Sequence, residues 1–337
     1  MALPGPGACS PGTPLSIQWH PPFGVDIRLV LSAHRRGSRD PAYRIGPGGA
    51  VWRTSRTPDG PGTLRVTAVP APRPAAGTGA GAVRAAQAGR AAPATMVSAT
   101  AWGPGARWLL DNLPSQLGAD DEPAGFAPQH PVLRDLWRRH PGARVGRTGL
   151  VFEALVPAVL EQKVAGVEAH RAWRWLLLRF GEPAPGPAPA GMRVFPPPQT
   201  WQRIPSWDWH RAGVEAVRAR TIAAAARAVG RVEEAAAMKA ADADRRLQAL
   251  PGIGPWTSAQ IRQRACGDAD AVAVGDYNLP GAVGWALAGK VVDDAGMLEL
   301  LAPYRGHRYR VTRLIEISGA GPPRRAPRLP VRDYRAF

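Results

Sequence analysis

The stretch Leu247-Gln-Ala-Leu250-Pro251-Gly252-Ile253-Gly254-Pro255-Trp256-Thr257-Ser258-Ala259 brings together residue types that let a backbone approach a phosphate. A tight corner between two helices needs a glycine at positive φ. Gly252 and Gly254 carry no side chain to keep the amides around Ile253 from an anion at the start of the next helix. Thr257 follows one turn into that helix, and Arg262 and Arg264 beyond it would extend a grip on one nucleic-acid strand without reading its bases. Pro-Gly-x-Gly also builds ordinary helix–turn–helix corners, so the motif alone leaves both readings open. Downstream, Ala271-Val-Ala-Val274-Gly275-Asp276-Tyr277-Asn278-Leu279-Pro280 ends a loop on one carboxylate, Asp276. An aspartate just before a helix is by default an N-cap.

The elements that must position these residues belong to a chain of 337 residues, 45% hydrophobic. That is enough for a sizeable core and more than one small module. Lys and Arg total 43 against 26 Asp and Glu, a formal net charge of +17, which suits a polyanionic partner. No apolar run approaches the roughly 20 residues of a membrane span, and the first residues have neither a basic nor an apolar leader segment. The expectation is a cytoplasmic protein that does not engage membranes. Cys9 and Cys266 are too few and too far apart for a disulfide framework, an iron–sulfur cluster or a thiolate metal site. The seven histidines show no zinc-ligand spacing, so no cofactor is expected.

Val25, Ile27, Leu29 and Leu31 alternate as in a strand with one apolar face. Ala50–Thr54 and Thr63–Thr67 flank Pro58-Asp59-Gly60, which predicts a hairpin. The expected organisation is a flexible extension over 1–21, a β-rich domain over 22–110 with a low-complexity insertion at 70–95, a helical core over 111–320, and a basic tail over 321–337. Ala169, Ala172, Trp173, Leu176, Leu177 and Phe180 recur at helical spacing. Further helices are predicted from near Val151, over Ala212–Val229 and over Glu233–Leu250. The fold class is α+β: a mainly helical core preceded by a small antiparallel β-rich domain.

Together, the hairpin, the downstream aspartate loop and their spacing resemble the helix-hairpin-helix DNA glycosylase superfamily. Leu155-Val-Pro-Ala-Val-Leu160-Glu-Gln162-Lys163 resembles the helix and glutamine turn before that family's DNA wedge. Ala302-Pro-Tyr304-Arg305-Gly-His-Arg308 resembles its C-terminal Pro-aromatic-Arg segment. With the β-rich start, the resemblance points to the bacterial alkyladenine glycosylase (3-methyladenine DNA glycosylase II) branch. It runs with gaps from about residue 22 to 320, outside the low-complexity insertion.

The resemblance implies excision of alkylated purines from double-stranded DNA by a monomer, after the base is flipped out. Such a base is cationic and leaves readily. Asp276 would stabilise positive charge developing on the sugar and orient water. Trp256, Tyr277 and Tyr304 are the candidate walls of an aromatic pocket, each contact with a cation contributing about 0.5–2 kcal/mol. Bifunctional members carry a nucleophilic lysine where Trp256 stands, so the resemblance implies a monofunctional enzyme without lyase activity. Gly252, Ile253, Gly254, Thr257, Gln162, Lys163, Arg305 and Arg308 are the candidate DNA contacts. Lys163 departs from the pattern, which has an apolar wedge there; its stem or Val164 fills that place. The resemblance also implies a monovalent cation held by backbone carbonyls near Leu250 and Ile253, which no side chain announces.

Two other readings stay open: a DNA-binding protein that has lost catalysis, and a glycosylase for oxidised or deaminated purines. Gly284–Val291 has P-loop-like glycine and lysine spacing, but Val291 stands where a hydroxyl must hold magnesium, so nucleotide hydrolysis is set aside.

Overall fold

The computed structural model describes residues 13–70 and 95–323. Five strands, β1 (Leu15–Trp19), β2 (Tyr43–Ile45), β3 (Val51–Thr57), β4 (Gly60–Pro70) and β5 (Thr95–Trp102), form one antiparallel sheet in the order β1-β5-β4-β3-β2. The predicted hairpin is present. Thr57 pairs with Gly60 across a Pro58-Asp59 turn, and the Thr57 hydroxyl closes it by donating to the Gly60 carbonyl at 2.9 Å. The expected insertion lies outside the described residues except at its ends, where Pro70 and Thr95 are paired in neighbouring strands.

Two N-terminal expectations are corrected. Residues 25–31 are not a strand: Ile27–Leu31 is a helical turn whose N-cap, Asp26, accepts from the amides of Arg28 and Leu29 at 3.0 Å each. Ile27, Val30 and Leu31 are buried at helical spacing, whereas Leu29, which a strand needed on its apolar face, is half-exposed. Four alternating residues fit both periods, and the cap decides. Leu15–Trp19, expected within a loose extension, is a strand paired with β5 from Leu15↔Ala101 to Trp19↔Val97. Its alternating Leu15, Ile17 and Trp19 face the core under the sheet, where Val51, Leu64, Val66, Val97, Ala99 and Ala101 meet the helix Ala106–Asp111.

The helical part is built around Val151–Leu160, apolar on every side and buried over nearly its whole length. Its first two amides are capped from a distance by Glu233, which accepts from Val151 and Phe152 at 2.8 and 2.9 Å. Its one acidic residue, Glu153, accepts from Arg53 Nη2 (2.8 Å), Ser55 Oγ (3.0 Å) and the Arg56 amide (3.0 Å), so β3 is fastened to the helical core. Gly166–Phe180 is the predicted amphipathic helix, with Ala169, Ala172, Trp173, Leu176 and Leu177 buried. Ala216–Arg227 and Ala240–Gln248 follow, shorter than predicted, with a 3₁₀ turn at Glu234–Ala237. Leu279–Ala288, Asp294–Leu301 and Arg308–Ser318 pack together with Phe126, Leu133 and Leu136 in a second helical cluster. There Arg310 forms a buried bidentate ion pair with Asp121. Gly284–Ala288 is helical, so the P-loop-like spacing does not form a phosphate loop. No helix among the described residues is long and apolar enough to cross a membrane.

Candidate active site

The corner after Ala240–Gln248 turns because Gly252 adopts φ +87, a conformation that costs a residue with a Cβ about 1–2 kcal/mol. Space enforces the same choice, since a Cβ there would lie 2.2 Å from Thr221 Oγ1. The Ile253 amide donates to the Leu250 carbonyl at 3.0 Å, which aims the Ile253 side chain into the core. Gly254 then caps the helix Pro255–Ile261, whose first residue has no amide hydrogen to lose. Among the described residues the Gly252 and Gly254 amides have no hydrogen-bond partner, so they remain available to an anion.

Gln162 holds this corner from behind. Its Nε2 donates to the Gly252 carbonyl at 2.9 Å and to Thr257 Oγ1 at 2.8 Å. Thr257 is buried and engaged by that bond, so it braces the corner from inside. Next to Gln162, Lys163 is exposed and has φ +54, the one non-glycine residue in the left-handed region among the described residues. The turn thus presents a cationic side chain to solvent at a strained backbone position beside the corner.

Asp276 lies one side chain away from the corner. Its Oδ2 accepts from Trp256 Nε1 at 2.9 Å, and Trp256 is the second residue of the corner's second helix. Its Oδ1 accepts from the amides of Asn278 and Leu279 at 2.9 and 3.0 Å, at the start of Leu279–Ala288. The carboxylate therefore does perform a capping role. Its second oxygen is turned toward the indole and keeps a free lone pair. The loop before it is stitched at several points. Asp270 accepts from the Gly306 and Arg308 amides at 2.7 and 3.1 Å, and Asp294 accepts from the Gly275 amide.

The three candidate aromatics separate in space. Trp256 touches the carboxylate, whereas Tyr277 is 84% exposed and projects into solvent. Tyr304 is 3% exposed and belongs to the core: its hydroxyl accepts from the Gln129 and His130 amides at 3.2 Å each, and its ring packs near Phe126 and His130. Proline and aromatic type in the sequence marked the segment but not which way the ring turns. Two cavities of about 30 Å³ each lie elsewhere, one around His34, Arg36, Arg53 and Arg264 and one around Leu29, Arg144 and Arg313, and none of the candidate aromatics lines either.

The arginines also divide. Arg305 is exposed. Arg308 is tied to Asp270, Nε to Oδ1 at 2.8 Å, and that bond raises its already high pKa. Arg262 pairs with Asp268 and Asp244, and Arg264 is sunk between the Ala33 and Gln260 carbonyls, where burial lowers its pKa to about 10. Neither extends a surface grip, because acidic and carbonyl partners, both near (Asp268, Gln260) and distant (Asp244, Ala33) in sequence, claim both guanidinium groups. Asp294, Asp270 and Asp244 are the side chains that sequence reasoning missed. Each is an unremarkable acid on a helix or loop until the fold brings it to its partner. Among the described residues no group of His, Cys, Asp and Glu is placed to hold a metal ion, and the Leu250 carbonyl of the suggested backbone cation site is engaged by Ile253.

This fold, a five-stranded antiparallel sheet fastened to a helical core, is shared with solved DNA glycosylases. In sequence, part of the chain is similar to AlkA proteins. Over 154 residues, 44% of this chain, it is 32% identical to the "Probable bifunctional transcriptional activator/DNA repair enzyme AlkA" of Mycobacterium tuberculosis, in strains CDC 1551 / Oshkosh and ATCC 25618 / H37Rv. The match spans 30% of the length of those curated relatives. Among solved structures, the 3-methyladenine DNA glycosylase of Archaeoglobus fulgidus superposes with a TM-score of 0.66 at 16% identity, covering 89% of this chain and 97% of that one. The 8-oxoguanine glycosylase/lyase of Clostridium acetobutylicum, in complex with double-stranded DNA, gives 0.62 at 9% identity over 89% and 96%. No family model matches the chain.

Proposed function

We propose that this protein is a monofunctional DNA glycosylase that removes alkylated purines, of the 3-methyladenine and 7-methylguanine type, from double-stranded DNA in base excision repair. The observation that carries the reading is the 2.9 Å hydrogen bond between Trp256 and Asp276, which fixes a carboxylate beside a corner with free backbone amides. In this reading the Gly252 and Gly254 amides hold a phosphodiester, and exposed Arg305 and Lys163 add sequence-independent attraction. The nucleotide is extruded toward Asp276. The Asp276 carboxylate then stabilises the cationic sugar as the bond to the base lengthens, and its free lone pair orients the water that completes hydrolysis. A cationic leaving base needs no strong general acid. The indole of Trp256 and, once DNA is bound, the exposed ring of Tyr277 supply faces for it. Trp256 offers no amine, so strand cleavage through a Schiff base has no nucleophile at that position.

The test is release of methylated purines from methylated duplex by the purified protein. Release that is lost in Asp276→Asn, with duplex binding retained, is the expected result. Binding without release supports a non-catalytic DNA-binding protein instead, and release of 8-oxoguanine in place of methylated bases supports the oxidised-purine reading. A covalent complex trapped by borohydride would overturn the monofunctional assignment.

A further inference from the structure

The carboxylate of Asp276 hangs from a loop whose hinge is Gly275, at φ +87 with open space where a Cβ would be. Within the loop the Asp276 amide donates to the Ala273 carbonyl at 3.3 Å and the Val274 amide to the Val272 carbonyl at 3.0 Å, so turns bracket Gly275 while its own amide is left to a partner outside the loop. The Gly275 amide instead donates across the chain to Asp294, 3.1 Å from Oδ1 and 3.2 Å from Oδ2. Asp294 opens the helix Asp294–Leu301, and its neighbour Asp293 performs the capping by accepting from the Gly296 amide at 2.9 Å. Asp294 is thereby free of that duty and both its oxygens serve Gly275. The helix that carries it is anchored: Met297 and Leu301 are fully buried in the cluster that also holds Ala271, Ala273, Leu279 and Val283.

We infer that Asp294 is a positioning residue, a fixed clamp on the Gly275 amide that sets the aim of the Asp276 carboxylate. This rests on the reading of Asp276 as the catalytic group. A glycine at positive φ explores more backbone conformations than any other residue, so an unclamped hinge lets the acid depart from its aim even while its own capping bonds persist locally. Beside the turn bond of the Asp276 amide itself, three restraints converge on this carboxylate: the Trp256 indole, the Asn278 and Leu279 amides, and the clamp at the preceding residue. The first two hold its oxygens, and the third holds the backbone from which it projects.

The experiment compares Asp294→Ala with Asp294→Asn in single-turnover base release from methylated duplex, alongside duplex affinity and thermal unfolding. Asp294→Ala removes the acceptor, and the release rate is expected to fall about 10–100-fold, the scale of a displacement of about 1 Å at a reacting group. Duplex affinity and melting temperature should stay near those of the parent protein. Asp294→Asn keeps an amide oxygen that accepts from Gly275, and it is expected to recover at least half of that loss on a logarithmic scale. Release by Asp294→Ala within twofold of the parent, a loss that merely tracks weaker duplex binding or reduced melting temperature, or equal loss in both variants would overturn the proposal. If Asp294→Ala is unimpaired while Asp276→Asn is inactive, the clamp alone fails. If Asp276→Asn releases bases at the parent rate, it is the catalytic reading that fails.

Discussion

Replacing Trp256 by Phe keeps an aromatic ring beside Asp276 and deletes the one donor among the described residues that holds its Oδ2. A hydrogen bond to a charged group is worth about 1.5–3 kcal/mol net. Trp256 and Asp276 are both partly exposed, so water partly replaces the lost donor and the lower end applies. The amides of Asn278 and Leu279 still grip Oδ1, which further limits how far the carboxylate can swing. About 1.5 kcal/mol at the transition state corresponds to roughly a tenfold slower chemical step. The assay is single-turnover release of methylated purine with enzyme in excess, which separates chemistry from product release, and duplex affinity measured in parallel should change little. A Trp256→Phe protein whose rate lies within twofold of the parent would refute the argument that the indole N–H orients the acid.

Other consequences follow from the same structure. Gly252→Ala places a methyl group 2.2 Å from Thr221 Oγ1 at φ +87, so it should lower the melting temperature and weaken duplex binding together, as read by thermal unfolding and a binding titration. Arg310→Ala strands the buried Asp121 carboxylate and should cost about 3–5 kcal/mol in chemical denaturation, far more than loss of an exposed pair such as Arg107–Asp111. Burial pushes the Cys266 thiol from 9.0 up to about 11. The unfolded chain thus gives up a proton that the native protein keeps, and stability should fall as pH rises from about 9 to 11. In Cys266→Ala that contribution to the alkaline decline should vanish in pH-dependent unfolding.

The spacing of glycines and prolines at 251–255, the apolar stripe of Ala169–Leu177 and the hairpin at Pro58-Asp59 were legible in the residues themselves, because turns and amphipathic helices are set by neighbours a few positions apart. The same locality misled at Val25–Leu31, where a short alternation fits strand and helix equally and only the cap on Asp26 separates them. It also left Leu15–Trp19 unread, since an edge strand is stabilised by its partner β5, far along the chain.

The motifs, through the family they resemble, marked Asp276 and Trp256 as candidates. Tertiary structure decided that they touch, that Tyr304 turns inward to the Gln129 and His130 amides, and that Arg262, Arg264 and Arg308 are taken up by partners inside the protein. It also decided that Asp294 meets Gly275. The physical reason is that a side chain's direction and the partner that claims its charge depend on packing among segments remote in sequence. Conformational preference acts within a few residues, and it is therefore the part that a sequence states outright.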